Sequence, residues 1–257
     1  MPTSPSSTAP FTLIAHRGYS DLAPENTLAA FDLALERGYA HLELDVQLTS
    51  DGVPVVIHDG RLDRTTDGTG LLRQHTFEQV RALSAGARFG DDPARFATER
   101  VPSLDEVLTR TAGRARLHLE LKSAEQELAT VVVGALREHG WDASTGPDEV
   151  PGLTLTSFHV EQLHRSRRLL PAVPHGWLLT RITKDDLDLC RTLGLAEICP
   201  RADTLTREAV EAASAADLRV RAWGVRNEDD LRTAAASGAW GTTVNWPERA
   251  RAALDAR

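Results

Sequence analysis

The stretch His41-Leu-Glu-Leu-Asp-Val-Gln-Leu-Thr-Ser-Asp-Gly-Val-Pro-Val-Val-Ile-His-Asp59 decides how the rest of the chain is read. Two apolar, β-rich runs flank Asp51-Gly52, and Asp-Gly between such runs signals a hairpin because both turn residues must tolerate positive φ. With those two residues as the loop, Ser50 pairs with Val53, and counting outward sets Asp45 opposite His58. Side chains two apart on a strand share a face, so Glu43 and Asp45 project together and this register brings His58 to them across the hairpin. Neighbouring carboxylates repel unless something cationic lies between them, and oxygen ligands of this kind suit a hard divalent ion such as Mg²⁺ or Ca²⁺. The plain alternative is an alternating strand whose polar face meets water.

Outward from the hairpin, strand-like runs recur at 11–15, 115–122, 153–158, 176–180, 197–200, 219–225 and 241–245. Helix-like segments fill the intervals, among them 24–37, opened by Pro24-Glu25-Asn26-Thr27, then 125–138, 160–169 and 247–254. Ser103 with Glu106 three residues on predicts a capping box at the start of a helix over 104–111. The hairpin contributes two of nine candidate strands, and its return strand, 53–57, can only run antiparallel. Eight parallel strands alternating with helices remain, which in about 250 residues is the pattern of a closed (β/α)₈ barrel rather than an open doubly wound sheet. Residues 60–102 are too long for an ordinary connection and read as an insertion over a functional face. The expected organisation is a disordered lead over 1–9 and a single α/β domain, a TIM barrel with one extra hairpin strand, over 10–257.

The whole chain has 257 residues and a formal net charge of −8. With no run of Lys or Arg, it lacks the basic footprint of a nucleic-acid or anionic-membrane partner. No segment approaches the apolar length that spans a bilayer. The first ten residues have neither the basic start nor the apolar core of a secretory signal, and the expected location is the cytoplasm. Cys190 and Cys199 suggest neither a disulfide framework nor a metal site and read as buried thiols. Of 29 Lys plus Arg, only Lys122 and Lys184 are Lys, which singles out a compact ammonium at the end of a strand.

A barrel keeps its active site at the C-terminal ends of its strands. Polar residues collect at those ends: His16 and Arg17, Glu43 and Asp45, Glu120 and Lys122, Ser157, Trp223 and Asn245, with His58 arriving from the hairpin. Alone, each has an ordinary structural reading. Their order is more specific. His16-Arg17-Gly18, Pro24-Glu25-Asn26-Thr27, Glu43-x-Asp45-Val46, His58-Asp59 leading to Leu62-x-Arg64-Thr65-Thr66-x-Gly68-x-Gly70, Val101-Pro102-Ser103-Leu104-x-Glu106, Glu120-x-Lys122 and Ser157-Phe158 together resemble the glycerophosphodiester phosphodiesterases, from residue 12 to about 250.

That resemblance implies a metal-dependent enzyme splitting small glycerophosphodiesters, such as glycerophosphocholine or glycerophosphoethanolamine, into an alcohol and sn-glycerol 3-phosphate. It implies that Glu43, Asp45 and Glu120 hold one divalent cation, Mg²⁺ or Ca²⁺. His16 and His58 would be the acid/base pair, Arg17 and Lys122 would neutralise the phosphoryl oxygens, and Trp223 would line the glycerol pocket. The negative charge left on the ligand set is expected to raise the imidazole pKa values. Two departures stand out: Asn245 where the family commonly has Asp, in Val244-Asn245-Trp246-Pro247, and Ala40 where an acidic residue often precedes the metal strand. Both leave the head group open. Competing readings are a related barrel phosphodiesterase acting on a lysophospholipid or phosphoinositide, and a non-catalytic phosphodiester-binding barrel. The sequence is silent on oligomeric state.

Overall fold

The computed structural model describes residues 11–143, 145, 146 and 148–256, so the lead expected over 1–9 lies outside the described residues. Nine strands form among them: β1 (Thr12–His16), β2 (His41–Leu48), β3 (Pro54–Val56), β4 (Arg116–Leu121), β5 (Gly152–Ser157), β6 (His175–Leu179), β7 (Glu197–Pro200), β8 (Arg219–Ala222) and β9 (Gly241–Val244). Their order is β1-β9-β8-β7-β6-β5-β4-β2, closed by pairing of β1 with β2. All eight pair parallel, and β3 alone pairs antiparallel, on β2. This is the (β/α)₈ barrel with one added strand.

Alternation along each strand sorts residues between two buried surfaces. On β2, Leu42, Leu44, Val46 and Leu48 join Leu117, Leu119 and Leu121 of β4 in an apolar layer. That layer packs under α1 (Leu28–Glu36), α2 (Leu104–Thr111) and α3 (Leu128–Glu138). The alternate residues, Glu43, Asp45 and Gln47 on β2 and Arg116, His118 and Glu120 on β4, are also buried. The polar face of the central strands therefore points into the barrel rather than into water. A second apolar layer serves β6 to β9 and the helices that follow them.

Two local expectations are corrected. The hairpin register is Val46 with Val56, Gln47 with Val55 and Leu48 with Pro54, one residue away from the Ser50–Val53 pairing. Thr49 N donates to Val53 O at 3.1 Å, closing a three-residue loop in which Gly52 takes φ +79°, a left-handed position open to glycine at no steric cost. Asp45 consequently faces Ile57, whose N–H donates to Asp45 O at 3.0 Å, and not His58. His58 reaches the mouth because the chain leaves the ladder after Val56. The second correction concerns Pro24-Glu25-Asn26-Thr27, which is a turn and not the first turn of a helix. Thr27 caps α1 through Ala30 N, and Asn26 sits at φ +58°. The capping box of Ser103 and Glu106 is present as the spacing predicts.

Within 60–102, Leu62, Leu72, Val80, Ala85 and Val101 form a small core on Val55 and Ile57 of the hairpin. The segment leaves and rejoins the barrel beside β3, where Val56 N donates to Pro102 O.

Candidate active site

Three neighbouring strands build the site. In register, His16 of β1 lies beside Glu43 of β2, and Asp45 of β2 beside Glu120 of β4. The carboxylates of Glu43, Asp45 and Glu120 offer oxygens that all lie within 4.8 Å of one another, and all three residues are buried. Two cations border them. Lys122 Nζ is 2.9 Å from Glu120 Oε1 and 3.3 Å from Asp45 Oδ1, and Arg17 Nε is 3.2 Å from Asp45 Oδ2. Asn26 Nδ2 donates to Asp45 Oδ2 at 2.9 Å, which explains the left-handed turn of Pro24–Thr27: it aims an amide at the buried carboxylate. Arg17 is left-handed as well, at φ +58°, so its backbone N–H donates to Glu43 Oε2 at 3.1 Å while its side chain reaches Asp45 and Glu25. Such conformations cost on the order of 1–3 kcal/mol each and persist where the surroundings over-determine them.

Charge in this buried cluster is unbalanced. Burial pushes Glu43 up, and the charge of Asp45 pushes it further, to about 8. Burial and Asp45 likewise raise Glu120 to about 7. Burial would raise Asp45 too, but Lys122 and Arg17 outweigh it and hold that carboxyl well below the usual range. Lys122 stands outside hydrogen-bonding geometry to Asp45 Oδ1, and that buried oxygen has no hydrogen-bond partner. An orphaned oxygen among three clustered, buried carboxylates fits a further cation at this position. Three oxygens at this spacing can share one hard divalent ion with bonds of about 2.0–2.6 Å.

The histidines flank the triad. His16 Nε2 lies 3.8 Å from Glu43 Oε2, and His16 Nδ1 lies 2.6 Å from Asn245 Oδ1. His58 Nδ1 lies 2.6 Å from Asp59 Oδ1, leaving Nε2 of each ring free of these bonds. Burial, helped by Arg17 and opposed by Asp45, pulls His16 down to about 4. Burial also lowers His58, against the opposing charge of Asp45. The expected rise of the imidazoles is thus corrected: loss of water outweighs the excess negative charge.

Sequence reasoning passed over the supports. Asp59 is held by Arg64 Nε at 2.6 Å, and Arg64 donates from Nη1 and Nη2 to Glu25 at 2.7 Å, so Arg17, Glu25, Arg64, Asp59 and His58 form one chain of contacts. The HisAsp dipeptide and the turn of Pro24–Thr27 were the available signals. Trp223 stands across the mouth, its Nε1 donating to Leu179 O at 3.0 Å and its ring edge-on to Phe158 with centroids 5.2 Å apart. Ser157 is not at the mouth chemically, since its hydroxyl donates to Leu121 O and accepts from His159 N.

A family model described as the glycerophosphoryl diester phosphodiesterase family matches residues 16–249, from the first site histidine to beyond the last strand. The chain belongs to that family. The glycerophosphoryl diester phosphodiesterases are phosphoric diester hydrolases, and so is this protein. It is 31% identical over 240 residues to a glycerophosphodiester phosphodiesterase of Caldanaerobacter subterraneus subsp. tengcongensis, covering 92% of this chain and 94% of that one. Among solved structures, it resembles an Oleispira antarctica phosphodiesterase in complex with the product sn-glycerol-3-phosphate. That match has TM-score 0.85 and 29% identity, and covers 95% of this chain and 96% of that chain. A glycerophosphodiester phosphodiesterase from Agrobacterium tumefaciens matches with TM-score 0.77 and 30% identity, over 95% and 100% of the two chains. Among the described residues, no helix is long and apolar enough to cross a membrane.

Proposed function

We propose that this protein hydrolyses small glycerophosphodiesters, of the glycerophosphocholine and glycerophosphoethanolamine kind, to an alcohol and sn-glycerol 3-phosphate, with Glu43, Asp45 and Glu120 holding one Mg²⁺ or Ca²⁺. The observation that carries this reading is the buried triad with its orphaned oxygen, flanked by two histidines and two cationic side chains. A bound divalent ion would supply positive charge to a phosphodiester that otherwise repels nucleophiles. Arg17 and Lys122, beside the triad, would add the same kind of charge to a phosphoryl group bound there. Trp223 with Phe158 forms an apolar wall for the glycerol carbons.

In the first step the substrate's own 2-hydroxyl oxygen attacks phosphorus, and one histidine takes its proton. The bond from phosphorus to the departing alcohol breaks, and the other histidine gives that alcohol a proton. In the second step water opens the cyclic phosphate with the two histidines in exchanged roles, which returns each to its starting state. Asp59 and Asn245, each against Nδ1, orient the rings so that Nε2 faces the reacting atoms. The proposed partner is a small molecule and the proposed location the cytoplasm.

Glycerol 3-phosphate release from glycerophosphocholine and glycerophosphoethanolamine, followed with EDTA and after restoring Mg²⁺ or Ca²⁺, tests this. Release that EDTA abolishes and the metal restores is expected. Release indifferent to EDTA removes the metal from the account, and no release with either metal removes the substrate class.

A further inference from the structure

The network around His58 leaves one guanidinium without a counter-charge. Arg88 Nε donates to Thr66 O at 2.7 Å, which fixes its orientation, and no described carboxylate forms an ion pair with it. It borders a cleft of about 280 Å³ together with Ser20, Glu25, Arg64, Thr65 and Phe89. Arg64 is already committed on both edges to Glu25 and Asp59, so Arg88 supplies the free N–H groups there. Glu25 and Thr65 also line the smaller recess that contains His58. On the other rim, Ser20 Oγ donates to His16 O at 2.8 Å. The cleft therefore opens between the two segments that carry the histidines, while Phe158 and Trp223 close the opposite side of the mouth.

We propose that this cleft receives the departing alcohol, and that Arg88 and Phe89 select a polyol head group, such as glycerol or inositol, over a quaternary ammonium. The proposal rests on the phosphodiesterase reading above. A guanidinium with open N–H groups donates to hydroxyl oxygens, and it can address two at once from a planar fork. Phe89 gives the carbon face of such a head group an apolar surface. A trimethylammonium accepts no hydrogen bond, and its favourable site is an aromatic face without a competing cation. Here Arg64 and Arg88 outnumber Glu25, a carboxylate that lines the cleft but is already paired with Arg17 and Arg64, so a further cation meets net positive charge and is repelled.

The test compares kcat/KM for glycerophosphoglycerol, glycerophosphoinositol and glycerophosphocholine, by release of glycerol 3-phosphate, in the metal-supplemented full chain and in Arg88→Glu and Arg88→Ala. The wild type is expected to favour the two polyol substrates by about tenfold or more, a size that one charge-assisted hydrogen bond can supply. Arg88→Glu should move the polyol-to-choline ratio toward choline by at least about tenfold, and Arg88→Ala should move it part of the way. A ratio that neither substitution changes, with all three substrates still turned over, overturns the subsite. A wild type that releases glycerol 3-phosphate from none of the three fails at the phosphodiesterase reading instead.

Discussion

Asn245 and Asp59 hold the same ring atom of two histidines with groups of unlike charge, an amide oxygen on His16 and a carboxylate on His58. Either histidine replaced by Ala should lower turnover by about 10²- to 10⁴-fold, the range for general acid/base catalysis, with the fold intact by circular dichroism. Near-normal turnover in one variant would take that histidine out of the chemistry. Asn245→Asp places a carboxylate 2.6 Å from His16 Nδ1 and favours the protonated ring. The limb of the kcat–pH profile that reports His16 should move to higher pH; a profile that does not move would mean His16 is not titrating in the rate-determining step. The residues at strand ends were legible in the sequence because Glu43, Asp45 and Glu120 follow the two-residue period. Their supports were not, because Asp59, Arg64 and Glu25 meet only through tertiary structure.

At the scale of elements, all nine strands were legible as short apolar or alternating runs, whereas the hairpin register was not. Reading Asp51-Gly52 as a two-residue loop misses that Ser50 belongs to the loop as well, and one residue of slip turns every side chain to the other face. The helix start at Thr27 was misread for a similar reason: Pro24 is a good opening residue, but here it opens a turn that aims Asn26 at Asp45. The junction of β1 with α1 is equally specific. Gly18 has φ +78°, and a Cβ there would lie 2.6 Å from the backbone carbon of Ala30. Gly18→Ala should therefore cost more than about 1 kcal/mol, seen as a lower urea midpoint, and should displace the adjoining His16 and Arg17 enough to reduce kcat. An unchanged midpoint would show that the junction can relax.

For the whole molecule, polar residues lining the barrel make stability depend on pH. His118 and His175 are buried. His175 Nδ1 donates to Val173 O at 2.8 Å, and burial lowers that ring to about 4. Burial with nearby Arg221 also holds His118 well below 6.5. Between those lowered values and 6.5 these two rings bind more protons in the unfolded chain than in the folded one. The contribution of these two rings is therefore fully present above about pH 6.5 and declines as pH falls toward 4, by up to about 3 kcal/mol for His175, whereas Glu43 and Glu120, raised to about 8 and about 7, take up protons in the folded chain and act in the opposite sense. Thermal melts of His175→Asn against the parent chain isolate the ring: the Tm advantage of the parent should shrink as pH falls from 6.5 toward 4, and a constant difference would mean that His175 does not carry this pH dependence. A crystal grown with Mn²⁺ shows whether the triad at the barrel mouth holds a divalent ion. One anomalous peak is expected within about 2.0–2.6 Å of carboxylate oxygens of Glu43, Asp45 and Glu120, lost in Glu43→Gln. A saturated crystal whose Mn²⁺ lies elsewhere, or whose peak survives that substitution unchanged, would contradict that expectation.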